Sequence, residues 1–377
     1  MTVPARTRLS FQYDGKLLRL ETAVHSVRPF ADLEAANQAL FKQASADEDH
    51  VVVTRETVFH PQGGGQPSDE GTLAMAAGHD VAARVPIFRV RAVRMDAVHD
   101  GQVLHLGRYI GGGDAPLAAA MAPGDVVEQA VDADKRLLYS RLHTAGHVLG
   151  SAVRSLLEAE VPGFDELKAS HFPDSAACEF RGSIEGRWKA PIQARVDEYL
   201  SRAMPVEIDF WTDDDFRREG LERLIPDRGL LPPGEDRFRV VRIVGAEVYP
   251  CGGTHVDTTD QCGPTTVRKI SRAKGISRVK LRRRRQQRCW RRPADVVRPG
   301  ECRPSRAAML ALLSLPLPPP QIRFTSSCSY WIGWLAAAAA AARQLHDRPA
   351  PLASDRRPRF DSPSRVARIT VSQRAHN

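Results

Sequence analysis

Apolar and polar residues alternate through the first thirty positions ("TRLSFQYDGKLLRLETAVHSV"), and this spacing predicts strands on either side of a turn at Asp14-Gly15. Residues 31–45 ("ADLEAANQALFKQAS") switch to helical spacing. A strand is predicted at 50–59 ("HVVVTRETVF"), running into "HPQGGGQPSDEG", and more short strands through 81–106. The stretch "GGGDAPLAAAMAPGD" (111–125) reads as a linker. From Val126 the texture changes: a strand leads into a helix running to about Glu160, on which Leu142, Ala145, Val148 and Leu149 share one face. Strands are expected over 166–184, helices over 190–204 and 213–225, then strands at 237–245, 247–256 and 263–281. The pattern predicts an α+β fold. An N-terminal β-barrel-like domain (1–125) would carry the glycine-rich loop, a mixed α+β domain (126–281) would follow, and 282–377 would be a low-complexity tail.

Charge sharpens the tail boundary. The 377 residues carry a net charge of +9, but residues 281–377 contain nineteen Arg, no Lys and five acidic residues, a net of +14. The first 280 residues hold 35 basic and 40 acidic groups, a net of −5, so any contact with nucleic acid there needs a local patch. "RRRRQQRCWRRP", a "LPLPPP" run and seven alanines (336–342) predict a tail without a packed core, although an Arg-rich tail can also bind RNA. The apolar "YWIGWLAAAAAAA" falls short of the roughly 20 residues a membrane span needs. The opening residues have no apolar signal segment, and six cysteines without a regular framework fit a reducing, cytoplasmic setting.

The candidate chemistry starts at "RLHTAGHVL" (141–149). His143 and His147, four apart on a helix, lie on one face with Cβ atoms about 5–6 Å apart, close enough to share a metal ion. Two ordinary helix histidines would look the same. Cys251 and His255 in "CGGTH" are again four apart, but Gly252-Gly253 argues for a turn that wraps both side chains around one point. A buried apolar cysteine and a turn histidine are the plain alternative. Together the two pairs offer a four-ligand Cys–His set of the kind zinc prefers.

In these motifs and their order the chain resembles the editing domain of alanyl-tRNA synthetases and its free-standing relatives, the AlaX proteins. "LHTAGH" and "CGGTHV" carry the resemblance, with "TVFHPQGGGQPSDEG" (57–71), "VDADKR" (131–136), "HFPDSAACEF" (171–180) and "KISRAKGISRVKL". It covers about residues 5–281 and stops abruptly. The resemblance implies Zn²⁺ held by His143, His147, Cys251 and His255, alanine tRNA as partner, and hydrolysis of the ester that joins a wrong amino acid, serine or glycine, to it. A pocket built for alanine cannot exclude smaller glycine and gains little against one added hydroxyl, so a second, hydrolytic sieve is needed. Three positions depart from the family: Gly146 where synthetases often carry a threonine tied to substrate discrimination, Leu167 or Lys168 where they carry a glutamine, and His60 where a tyrosine is common.

In the glycine segment, Gly63, Gly64 and Gly65 could let backbone approach the tRNA terminus with Gln66 bonding nearby, or simply form a tight turn. Asp69 could orient a neighbouring ligand or cap the turn; Thr57 could face the amino-acid pocket or serve as an ordinary strand residue. Lys135 and Arg136 could contact phosphate, the default being a solvated pair. Two other readings compete. A zinc metalloprotease would need H-E-x-x-H, and Thr144 stands where its general base belongs. A non-catalytic, zinc-stabilised tRNA- or protein-binding module would keep the same ligands. The length, without an aminoacylation domain upstream, argues against a full synthetase and for action in trans.

Overall fold

The computed structural model describes residues 6–76, 87–110, 121–231 and 234–283. The N-terminal half runs through β1 (Arg8–Leu9), β2 (Arg19–Pro29), a one-turn helix α1 (Ala35–Gln38), β3 (His50–Thr54), β4 (Glu56–Thr57), β5 (Gly71–Met75), β6 (Ile87–Met95), β7 (Val103–Ile110) and β8 (Val126–Val131). Six of these strands close into a barrel in the order β2-β3-β7-β6-β5-β8. The boundary expected after residue 125 therefore falls inside the barrel. β8 pairs antiparallel with β2 on one side and β5 on the other, and closure needs it there because a barrel leaves no edge unpaired. Nor do the strands flanking Asp14-Gly15 form a hairpin. Asp14 does cap the turn, accepting from Lys16 N at 2.8 Å, but β1 pairs in parallel with β4 while β2 belongs to the barrel.

The barrel interior is filled by Val24, Val52, Val58, Phe59, Leu73, Phe88, Val90, Val93, Val103 and Val127. A second apolar cluster covers one stretch of its outer wall, where Phe30, Leu33 and Phe41 pack on Val51, Val53, Leu104 and Leu106. This explains the unbroken "VVV" of β3: Val52 points inward, and its neighbours point to the covering segment. The helix expected over 31–45 is reduced to α1, preceded by a 3-10 turn at Phe30–Asp32. Buried Asn37 donates to Glu34 and Asp96 and accepts from Ala97 N at 2.8 Å, so tertiary bonds hold the covering segment in place of a regular helix.

The second half contains α2 (Ala133–Leu157), β9 (Asp165–Ser170), β10 (Ala177–Arg181), α3 (Lys189–Ser201), β11 (Val206–Trp211), α4 (Asp213–Arg218), β12 (Phe238–Ile243), β13 (Glu247–Pro250), β14 (Thr265–Ala273) and β15 (Ile276–Arg283). A four-stranded antiparallel sheet, β14-β15-β10-β9, and a three-stranded one, β11-β12-β13, make an α+β arrangement. Asp132 starts α2 by accepting from Lys135 N. The apolar face read from the sequence (Leu142, Ala145, Val148, Leu149) continues through Ala152, Val153 and Leu157 into a core shared with Phe180, Ile192, Val196 and Val279. The helix predicted over 213–225 is shorter. Thr212 and Asp215 form a capping box, α4 ends before Gly220 at φ +68°, and a 3-10 turn follows at Glu222–Leu224. β15 carries on past Leu281 to Arg283, whose Nε donates to Cys262 O at 2.7 Å. The remainder of the expected tail lies outside the described residues, and no helix among those described is long and apolar enough to cross a membrane.

Candidate metal centre

His143 and His147 project from one face of α2 as their spacing predicts. The segment after β13 turns back so that Cys251 and His255 meet them, and one ligand atom from each of the four lies within 4.8 Å of the other three. Cys251 Sγ is 3.4 Å from both His143 Nε2 and His255 Nε2. A tetrahedral zinc, with Zn–S of about 2.3 Å and Zn–N of about 2.0–2.1 Å, separates sulfur from nitrogen by about 3.6 Å, so the donor set fits that ion in kind and in spacing.

The His143 tautomer can be read from its neighbours. The Thr254 backbone N–H, 3.1 Å from Gln66 Oε1, fixes the amide, because only the oxygen can accept it. The Gln66 Nε2 group then donates to Thr254 Oγ1 at 3.0 Å. His143 Nδ1, 2.6 Å from the same Oε1, must be the donor, which leaves Nε2 with its lone pair toward Cys251. His255 Nδ1 lies 3.1 Å from Thr144 Oγ1, a hydroxyl that also accepts from Val256 N, while Nε2 is 3.4 Å from Cys251 Sγ. Burial first, then the neighbouring imidazoles, hold His143 and His255 well below the ordinary histidine range, and burial does the same for His147. All three rings are thus neutral, the state in which imidazole binds metal. Burial also pushes the Cys251 thiol up, against the Gly253 N–H and Arg239, which favour the thiolate.

The turn that delivers Cys251 depends on Gly253. A Cβ there would come within 2.2 Å of His143 Cε1 and 2.8 Å of Gln66 Oε1. Arg239 on β12 braces the turn, donating to the carbonyls of Gln12 at 2.8 Å and of Cys251.

The glycine segment meets the site through Gln66. Gly63 and Gln66 exchange backbone hydrogen bonds at 3.3 and 2.9 Å, and Gly64 and Gly65 take φ of +52° and +78°, so the segment is a tight turn. Gly63 and Gly64 are exposed at its tip. Gly65 is pressed against the second half: a Cβ would meet Ala169 O at 2.4 Å, and its own carbonyl accepts from His171 N at 2.8 Å. Gln66, expected beside a tRNA end, is fully buried and bonded to His143. Gln66→Leu is therefore expected to weaken metal binding about 10–100-fold, the usual cost of removing a group that orients a ligand; a competition titration against a chelator would measure it.

Asp69 does not reach a candidate ligand. It accepts from His60 N at 2.6 Å and from Arg136, whose Nε lies 3.0 and 3.1 Å from its two oxygens. The expectation of a solvated Lys135–Arg136 pair holds for Lys135, which pairs with Glu70 at 2.5 Å, and fails for Arg136, only 3% exposed and also donating to Gly15 O and Val58 O. Thr57 on β4 is fully buried, with Oγ1 2.8 Å from His105 Nε2. His60 is buried edge-on to Phe11.

Two neighbours of the site were not singled out by sequence reasoning. His171 stacks on His143 with ring centroids 4.0 Å apart, and a Cβ on Gly146 would fall 2.3 Å from its ring. The room a threonine side chain would need at 146 is filled by His171, whose only sequence signal was its place in "HFPD". Glu166 is the second. Leu167 and Lys168 are exposed, but the Glu166 carboxyl lies over Gly150 beside the Tyr249 hydroxyl, and burial pushes it up to about 7.

Residues 238–280, which include the CGGTH turn, match the family described as threonyl and alanyl tRNA synthetase second additional domain. The chain is 30% identical over 234 residues to an alanine–tRNA ligase of Methanothrix thermoacetophila, a match covering 61% of this chain and 23% of the ligase. It is 28% identical over 229 residues to the alanyl-tRNA editing protein AlaX-M of Methanosarcina barkeri (59% of this chain, 84% of that one). With AlaX-L of Pyrococcus horikoshii it shares 26% over 232 residues (61% and 50%). It thus spans about a quarter of the ligase and half of AlaX-L. The ordered motifs, the converging Cys–His cluster and these matches make the chain a relative of the AlaX-type alanyl-tRNA editing proteins.

Proposed function

We propose that the protein is a zinc-dependent hydrolase that deacylates alanine tRNA mischarged with serine or glycine. The observation that carries this reading is the largely buried cluster of His143, His147, Cys251 and His255, with His143 oriented by Gln66 from the glycine turn. When bound, the metal polarises a carbonyl and draws the pKa of a coordinated water toward about 7. The chain's own residues do the remainder. Gln66 keeps the His143 lone pair on the metal side, Thr144 positions the His255 ring through its Nδ1, and Arg239 holds the Cys251 backbone. The exposed backbone of Gly63 and Gly64 would meet the tRNA terminus, a close approach that side chains there would obstruct.

Four protein ligands also describe a closed structural zinc site, whereas catalytic sites keep one position for water or substrate. Hydrolysis at this centre requires one ligand to yield, or the metal to orient the amino acid while another group activates water. The closed set favours, as second reading, a zinc-stabilised tRNA- or protein-binding module without activity. The protein loaded with zinc, its metal content measured, and incubated with Ser-, Gly- and Ala-charged alanine tRNA separates the two. Hydrolysis of the first two with sparing of Ala-tRNA supports the editing reading. One zinc per chain with all three esters intact supports the module.

A further inference from the structure

A cleft of about 780 Å³ lies on the outer wall of the barrel, away from the four metal-binding side chains. Lys42, Gln62, Arg89, Arg91, Arg94 and Arg108 are among the residues lining it. Only part of this charge is neutralised. Buried Asp49 is shared by Arg91 at 2.9 Å and Arg108 at 2.6 Å, and Arg108 also pairs with Glu48. Glu70, the cleft's own acid, is held by Lys135. Among the described residues no carboxylate stands within ion-pair distance of Lys42, Arg89 or Arg94. Arg89 on β6 lies directly opposite Arg108 on β7, but only Arg108 has carboxylate partners, Asp49 and Glu48, so the Arg89 charge stays open to the cleft. Arg91 occupies the register shift between Val90 and Ala92, a bulge that changes the local course of the strand. This concentration of positive charge belongs to a region, residues 1–280, whose net charge is −5.

The cleft is continuous with the metal centre along the chain. Gln62 lines it and is tied to β6 by its N–H donating to Val93 O at 3.0 Å; the glycine turn begins at the next residue. From Gln62 to Gln66, the residue bonded to His143, the backbone can span no more than about 14 Å.

We propose that this cleft binds the phosphate backbone of the RNA whose aminoacyl end enters the metal centre, with Lys42 and Arg89 supplying the unpaired charge and Arg94, held by the carbonyls of Leu40 and Val93, adding to the field. The proposal rests on the tRNA-directed reading of the metal centre. Guanidinium forks suit phosphate oxygens, and each phosphate neutralised makes binding more sensitive to salt.

The test measures binding of uncharged alanine tRNA as a function of salt, using the full chain and Lys42→Glu/Arg89→Glu. Both side chains are exposed, and an unchanged thermal midpoint would verify that the fold is kept. The double variant is expected to bind about 10–100-fold more weakly at low salt, with the slope of log K against log [salt] reduced by about 1 per residue. Lys42→Arg/Arg89→Lys should retain most of the affinity. Arg181→Glu/Arg187→Glu, exposed elsewhere, controls for net charge and should lose much less. Parent-like affinity and slope in the cleft variant, or equal losses in both charge reversals, would overturn the proposal. So would poly-glutamate binding as tightly as tRNA and losing affinity in parallel, because the occupant would then be an acidic protein. Since uncharged tRNA is the probe, a chain that binds through the cleft yet hydrolyses no ester would sink the deacylase reading and leave the cleft standing.

Discussion

Replacing His147 by alanine is expected to remove both the metal and the hydrolysis of mischarged tRNA. The three remaining donors leave the fourth tetrahedral position to water, and losing a ligand should weaken zinc binding by more than the roughly 100-fold upper bound for losing a group that only orients one. His147 separates these effects better than His143 or His255. Its Nδ1 is buried without a hydrogen-bond partner, so its removal breaks no side-chain bond that holds the loops together. The variant should therefore fold, as judged by circular dichroism. It should carry much less than one zinc per chain and hydrolyse Ser-charged tRNA at the uncatalysed rate. A folded, metal-free variant with parental turnover would show that the metal is not the catalytic element. A variant that bound zinc as tightly as the parent in a chelator competition would mean that His147 is not a ligand.

The largest effect on stability is expected at Arg136. Its side chain is 3% exposed and that of Asp69 is fully buried, with the guanidinium shared between that carboxylate and the carbonyls of Gly15 and Val58. Arg136→Ala strands the buried Asp69 carboxylate and the buried Val58 carbonyl, and frees the half-buried Gly15 carbonyl. Breaking a buried ion pair from one side costs about 3–5 kcal/mol. For a folded region of this size that is roughly 6–20 °C in thermal midpoint, measurable by scanning calorimetry. Lys135→Ala removes an exposed pair with Glu70 and should cost no more than about 1 kcal/mol. The double change Asp69→Leu/Arg136→Met should recover part of the loss, since neither charge is then left alone. Equal midpoints for the two single variants would refute the assignment of this pair as the tie between the glycine segment and α2.

These two neighbours mark the limit of the sequence. Lys135 and Arg136 are adjacent, basic and in the first turn of one helix, so composition and spacing give them the same role. The side of α2 that faces the barrel decides that one is solvated and the other buried, and that side depends on contacts with residues 15, 58 and 69. The same holds for Gln66 and Asp69. Both lie in one polar glycine-rich segment, and only the packing of the turn against α2 shows that Gln66 orients His143 while Asp69 neutralises Arg136.

What the sequence determined by itself was periodic or local. The apolar stripe of α2 set the helix and put His143 and His147 on one face, because 3.6 residues per turn requires it. Gly252-Gly253 announced a turn at Cys251 and His255, and alternation announced the strands. The tertiary structure decided whatever depends on partners far along the chain. It sent β8 to close the barrel, since a closed sheet takes the strand that completes its hydrogen bonds wherever the linker lies. It reduced the helix over 31–45 to one turn, because covering the barrel wall with Phe30, Leu33 and Phe41 outweighs local propensity. It filled the space beside Gly146 with His171, and it gathered five basic side chains from β6, β7 and the α1–β3 connection into one cleft. Spacing along one element is fixed by backbone geometry, whereas the meeting of separate elements is fixed by burial and charge summed over the whole fold.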